Sequence, residues 1–234
     1  MKNQNRLWIY PLFIMCALLI ATSSCTKSSS TTPTTTTNTN TITDVDGNLY
    51  HYVVIGTQTW LVENLKTTHF NDGTPIPNVT NAADRHTLKT PAYFWYNNDI
   101  NNKDTYGALY DWYAVNTGIL APKGWHVPSN DEWKILINFL GGANVAGKHL
   151  KEKGATHWDS TNNSDNSSGF TALPGGCTNL DGFFEYIGMF GNWWSSTPYA
   201  SGAMCQSMSP GSNGVAETTE NPKNFGYSVR CVKN

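Results

Sequence analysis

The chain has 234 residues, with 15 Lys and Arg against 17 Asp and Glu and a formal net charge of −2. A balance this close to neutral leaves no bulk electrostatic basis for binding nucleic acid or an anionic membrane surface. Charged residues make up only 14% and aromatic residues 12%, a profile that suits an exported surface domain, and no repeat at solenoid spacing is present.

The first element is a targeting segment. Lys2 and Arg6 give a positive start, Leu7 to Ala21 an apolar run broken by Pro11, and Thr22-Ser23-Ser24 a small-residue stretch ending at Cys25. That order is the signature of a secretory signal, and the run is short for a bilayer-spanning helix, which takes roughly 20 residues. Ser24-Cys25 resembles the lipobox of bacterial lipoproteins, with Thr22 standing where Leu is usual. The resemblance implies diacylglycerol on the Cys25 thiol and cleavage just before it; Cys16 reads as apolar filling.

Residues 26–41 are almost entirely Ser, Thr, Pro and Asn and cannot bury enough apolar surface to offset their chain entropy, so a disordered tether is expected. Thr26 follows Cys25, where an Asp would resemble an inner-membrane retention signal. An outer-membrane address is therefore expected, with the leaflet open. The organisation is a signal over 1–24, a lipidated Cys and tether over 25–42, and one globular domain over 43–234, long enough for a sizeable core.

Within the domain, Asp44 to Asn48 form a turn around Gly47, and two β-rich runs, Tyr50–Ile55 and Thr57–Val62, flank Gly56 as a hairpin. Asn71-Asp72-Gly73-Thr74-Pro75 is a second turn, and Tyr93–Tyr96 is a short aromatic strand. Gly107–Val115 is expected to be a buried helix. The next helix is better specified: Ser129 and Glu132 are spaced as a capping box, and Trp133, Leu136, Phe139 and Leu140 recur at helical spacing before Gly141. A shorter helix is expected over Val145–Lys153. After a polar loop over 159–168, short β runs follow at 169–174, 183–187, 193–196, 204–208 and 227–232. Helices in the middle with strands on both sides predict an α+β fold with paired terminal strands and a largely antiparallel sheet.

Candidate chemistry is sparse. The six His residues show no zinc spacing, no G-x-S-x-G is present, and Gly175-Gly176 reads as a turn after Pro174. Asp99, Asn101, Asn102 and Asp104 place oxygen ligands close together in one loop that calcium would accept, although solvated loop residues explain them as well. No cofactor is expected. Cys177, Cys205 and Cys231 would meet an oxidising compartment, where three thiols allow one disulfide. Cys177 with Cys205 is the slightly preferred pair, with an unbridged state nearly as good. Trp193 and Trp194 are adjacent on a strand and point to opposite faces. Phe183, Phe184, Tyr186, Trp193 and Trp194 are the candidates for stacking on a sugar ring or peptide, against the plainer reading that all are packed.

Six stretches carry a family resemblance: DVDGNLYHYVVIGTQTWLVENLKTT (44–68), YGALYDWYAV (106–115), GWHVPSNDEW (124–133), GFTALPGG (169–176), WWSST (193–197) and GYSVRCV (226–232). In this order they resemble the Fibrobacter succinogenes major paralogous domain, a family of exported bacterial domains often found on lipoproteins, to which no activity attaches. More distantly, the Gly-Trp-x-x-Pro-Ser-x-x-Glu-Trp helix entry and the final Gly-aromatic-x-x-Arg-Cys strand are similar to the formylglycine-generating enzyme group. That likeness implies a C-type-lectin-like fold, with two helices flanking a small twisted sheet and a ligand surface in the loop-rich half, here 177–192 and 206–224. The paired cuprous-ion thiolates of that group have no counterpart spacing here, and the Glu-Pro-Asn calcium motif of sugar-binding lectins is absent. The expected function is a lipid-anchored, non-catalytic display or binding domain of the bacterial envelope, for a polysaccharide or an envelope protein. An enzyme on the same scaffold and a purely structural component are the alternatives.

Overall fold

The structure is a computed structural model that describes residues 40–159 and 162–234. The signal, Cys25 and nearly all of the tether lie outside the described residues. Among the described residues thirteen strands are present: β1 Thr41–Thr43, β2 Leu49–Ile55, β3 Gln58–Leu61, β4 Tyr93–Phe94, β5 Leu109–Tyr110, β6 Trp125–His126, β7 Gly175–Thr178, β8 Phe184–Ile187, β9 Gly191–Tyr199, β10 Gly202–Met208, β11 Ala216–Asn221, β12 Tyr227–Ser228 and β13 Val232–Lys233. The α-helices are α1 Ala82–His86, α2 Lys103–Tyr106, α3 Trp112–Val115, α4 Asn130–Phe139 and α5 Ala146–Leu150. The fold is α+β.

The strands form two sheets. One runs β1-β2-β3-β13-β6 and is antiparallel throughout. The other runs β11-β10-β9-β12-β5-β4, with β7 on β9 and β8 on β7; only β12 and β7 lie parallel to β9. The expected end-to-end pairing is present: Val232 of β13 sits opposite Trp60 of β3, beside the first hairpin. The run expected as one strand over 227–232 is split. β12 belongs to the second sheet and β13 to the first, so Val229–Cys231 carries the chain between them.

Trp193 and Trp194 show how the core is layered. Both are fully buried, and period-two alternation sends them to opposite faces of β9. Trp193 packs with Trp133, Leu136 and Ile137 of α4, Ala146 and Leu150 of α5, and Trp158. Trp194 packs with Tyr110, Trp112 and Tyr227, its ring centroid 4.4 Å from that of Tyr227. Each indole N–H has a partner, Asn64 Oδ1 at 2.8 Å for Trp193 and the Tyr110 carbonyl at 2.7 Å for Trp194. Burying a polar N–H this deeply without one would cost roughly 1–3 kcal/mol.

α4 forms as its sequence predicts. Ser129 accepts from the Glu132 N–H, and the Glu132 carboxylate accepts from the Ser129 N–H at 2.7 Å. Trp133 and Leu136 are buried, but Phe139 is 63% exposed and Ile137 takes the core position instead. Three other elements correct the sequence reading. Over 107–115 the helix is only α3, because Leu109 and Tyr110 pair with β4 and β12 and the Asp111 carboxylate caps α3 by accepting from Ala114 N at 2.8 Å. The helix expected over 145–153 is α5 alone: the Lys151 side chain turns inward, and its ammonium donates to the Ser209, Pro210 and Ser212 carbonyls at 2.7, 3.2 and 2.6 Å. The β run expected at 169–174 contributes only the Lys151–Ala172 bridge, and Gly175-Gly176, read as a turn, opens β7.

Candidate functional site

The calcium candidates do not converge. Asp99 Oδ1 accepts from the Asn101 backbone and side-chain amides at 3.0 and 2.8 Å, closing an Asx turn. The Asn102 side chain donates to the Tyr96 carbonyl at 3.0 Å, and Asp104 pairs with Lys66 at 3.1 Å. The Asp44 turn is likewise self-consistent: its carboxylate accepts from Asp46 N and Asn48 N at 2.9 Å and from the Tyr50 hydroxyl at 2.6 Å. Among the described residues no group of three or more His, Cys, Asp or Glu is arranged to hold a metal ion.

The expected Cys177–Cys205 bridge is not formed; Cys177, Cys205 and Cys231 are free and buried. The topology gives the reason. Gly191 of β9 pairs Met208 of β10 on one edge and Gly176 of β7 on the other. Cys177 and Cys205 therefore lie two strands apart, about 10 Å, beyond the ~7 Å reach of a disulfide. Burial pushes the Cys177 and Cys205 thiols up to about 12, and Cys231 is raised by the same cause. Thiolate chemistry at neutral pH is disfavoured at all three.

Of the five aromatic candidates, Trp193 and Trp194 are withdrawn by their burial. The other three lie on one feature, the β7–β8 hairpin. Phe183 is 60% and Tyr186 46% exposed, and Leu180 and Met189 are exposed beside them, a contribution the sequence analysis missed. Phe184 is half-buried and serves as a foot: it lies over the Arg85 guanidinium at 4.4 Å and against Tyr96 at 5.4 Å.

The hairpin is held by specific bonds. Asn179 brackets the tip, its side-chain oxygen accepting from Phe183 N at 2.9 Å and its amide donating to Glu185 at 2.8 Å. Arg85 of α1 donates to the Gly182 carbonyl at 2.7 Å, and His86 Nδ1 bonds the Leu180 carbonyl at the same distance. The tip is pressed so close to α1 that a Cβ on Gly182 would sit 2.2 Å from the Ala82 carbonyl oxygen, and Gly182 has φ +79°. Tyr186 has φ +67°, a region that costs a non-glycine residue roughly 1–3 kcal/mol. The Met189 and Phe190 amides both donate to its carbonyl at 3.0 Å, and its ring meets Phe190 edge-on at 5.5 Å. The surrounding bonds thus fix a strained, outward-facing tyrosine. No local sequence signal marks Arg85 as the support beneath this surface.

Concavities also lie elsewhere among the described residues. One, about 550 Å³, is an open trough between the β2–β3 hairpin and the C-terminal end of α4, lined by Val54 and Phe139. A second, about 310 Å³, opens over Arg230 and is rimmed by Glu63, Asp104, Glu152 and His157. Each rim carboxylate is already engaged, Glu63 with His51, Asp104 with Lys66 and Glu152 with His157. The guanidinium is taken up by the Leu61, Val62 and Phe170 carbonyls and by Asn64. The charged side chains of this cleft thus each have a partner within the chain.

An α+β domain with an exposed aromatic hairpin is the class that fold and surface define; the stretches 177–192 and 206–224, expected as a loop-rich half, carry strand residues of β7, β8, β9, β10 and β11. The chain belongs to the Fibrobacter succinogenes major domain family, whose model matches residues 53–233. No curated protein and no solved structure matches it.

Proposed function

We propose that this chain is a lipid-anchored, non-catalytic binding module of the bacterial cell envelope, and that the β7–β8 hairpin is its ligand surface. The observation that carries the reading is the exposure of Phe183 and Tyr186 on a hairpin that Arg85, His86 and Asn179 hold rigid. Aromatic side chains supply much contact area at little entropic cost, and a fixed framework lowers the ordering cost of binding. The module is read as C-type-lectin-like: α4 and α5 pack against the sheet and the terminal segments pair. The buried, protonated thiols support a non-catalytic role over copper or thiolate chemistry.

The anchor reading rests on the order of charge, apolar run and small residues ending at Cys25. Outer-membrane attachment follows from that order and from Thr26. Replacing Cys25 with Ala in the full chain is expected to move the protein from the membrane pellet to the soluble fraction. Continued pelleting after a carbonate wash would refute lipidation. For the surface, full-length protein carrying both Phe183→Ala and Tyr186→Ala is expected to keep the wild-type melting temperature within about 2 °C. It should lose at least tenfold in affinity for isolated envelope material, measured by co-sedimentation with detergent-washed envelopes. Unchanged co-sedimentation would remove the hairpin as the binding surface.

A further inference from the structure

The hairpin surface has a charge as well as a shape. From Gly154 to Pro222 the chain has no Lys or Arg, while Asp159, Asp165, Asp181, Glu185, Glu217 and Glu220 fall within it. A near-neutral chain is therefore strongly asymmetric along its length. Three of these carboxylates neighbour the exposed apolar side chains. Asp181 is exposed at the tip between Leu180 and Phe183. Glu185 lies between Phe184 and Tyr186 in sequence, and its carboxylate accepts from the neutral side-chain amide of Asn179 at 2.8 Å. Asp159 reaches the hairpin from the preceding loop: its N–H donates to the Gly188 carbonyl at 2.9 Å, and a Cβ at Gly188 would sit 2.2 Å from its carboxylate oxygen.

None of the three forms an ion pair with a described residue, unlike Asp165 and Glu217, which face Lys148 and Lys134. Arg85 lies beneath Phe184 and donates to the neutral Gly182 and Val79 carbonyls, not to any of these carboxylates. The surface therefore offers Leu180, Phe183, Tyr186 and Met189 beside three carboxylates that have no ion-pair partner among the described residues.

We propose that the occupant of the hairpin is a basic, apolar segment of another polypeptide, one that places Lys or Arg beside aliphatic or aromatic side chains. This deepens the binding-module reading and rests on it. Apolar contact supplies the anchor, and the carboxylates select sign and speed association. A neutral polysaccharide would use the aromatic faces but gain nothing from the charges. An acidic polysaccharide would be repelled.

The test is an array of twelve-residue peptides combining Lys and Arg with Leu and Phe, alongside matched peptides with Glu or Asn in place of the basic residues, and an array of neutral oligosaccharides. Each is probed with full-length protein in detergent at low and at physiological salt. Binding is expected on the basic apolar peptides, at least tenfold weaker on their Asn counterparts, and weaker at the higher salt. It should fall at least tenfold with Asp181→Lys, a substitution at an exposed tip position that leaves the fold intact by circular dichroism. Binding of neutral oligosaccharides that is lost with Phe183→Ala but indifferent to Asp181→Lys would overturn the peptide assignment and leave the binding-module reading standing. Absence of binding to every peptide and sugar would overturn both.

Discussion

Asp111 is the residue whose local chemistry reaches furthest beyond itself. Its Oδ1 accepts from Ala92 N at 3.1 Å and Ala114 N at 2.8 Å, tying the approach to β4 to the first turn of α3, while Oδ2 is buried without a partner. Burial raises its pKa to about 8, more than the two backbone bonds lower it. The native state therefore keeps this proton up to about pH 8, whereas an unfolded Asp releases it near pH 4. Stability from this group is full below about pH 4 and is lost as pH rises toward 8, by several kcal/mol in all at 1.36 kcal/mol per unit. The groups with lowered carboxylate values, Asp46, Glu132 and Asp165, act in the opposite sense at the acidic side of this window. Asp111→Asn keeps the Oδ1 acceptor and cannot ionise. It is expected to flatten the decline of urea-unfolding free energy between pH 5 and 8 and to be at least as stable as the parent at pH 8. Parallel pH profiles for the two proteins would show that Asp111 is ionised in the fold.

At the scale of elements, what the sequence reveals follows from how local the determining forces are. α4 is legible because its capping box and apolar period lie within eleven residues, Ser129 to Phe139. The β2–β3 hairpin is legible because its two runs and Gly56 are contiguous. The 107–115 stretch is misread because Leu109 and Tyr110 are claimed by ladder partners far away in sequence, and no local pattern announces that. β11 goes unseen for a different reason: its Ala-Glu-Thr-Thr-Glu-Asn residues form an exposed edge strand, with no apolar alternation to detect. For the site, Phe183, Phe184 and Tyr186 are recognisable as a cluster of aromatics, yet only the fold separates them from Trp193 and Trp194. Adjacent tryptophans on one strand must face two ways, and whether the second way is solvent or a second core layer depends on α4 and α5 covering it. The opposite edges occupied by β7 and β10 are equally invisible in the spacing of the cysteines.

The molecule as a whole is joined where β12 passes into β13, and Arg230 stands at that crossing. Its guanidinium donates to the carbonyls of Leu61 and Val62 at the end of β3 and of Phe170 beside α5, and to Asn64, which also receives the Trp193 N–H. The ring of Phe170 lies 4.2 Å from the guanidinium carbon. One side chain thus binds the first sheet to the layer beneath the helices. Two effects oppose each other. Burial lowers the Arg230 pKa to about 9, a desolvation cost of the order of 5 kcal/mol at 1.36 kcal/mol per unit. An apolar replacement escapes that cost but leaves several buried carbonyls unpaired at roughly 1–3 kcal/mol each. At the middle of that range the three carbonyls exceed it only slightly, so Arg230→Met is expected to lose about 1 kcal/mol, and Arg230→Lys, which keeps the buried charge with fewer donors, is expected to lose more. Because the crossing serves both sheets, near-ultraviolet ellipticity of the tryptophan core and far-ultraviolet ellipticity should shift together to lower urea. Separate transitions would mean that the two sheets unfold independently and that Arg230 stabilises only one of them.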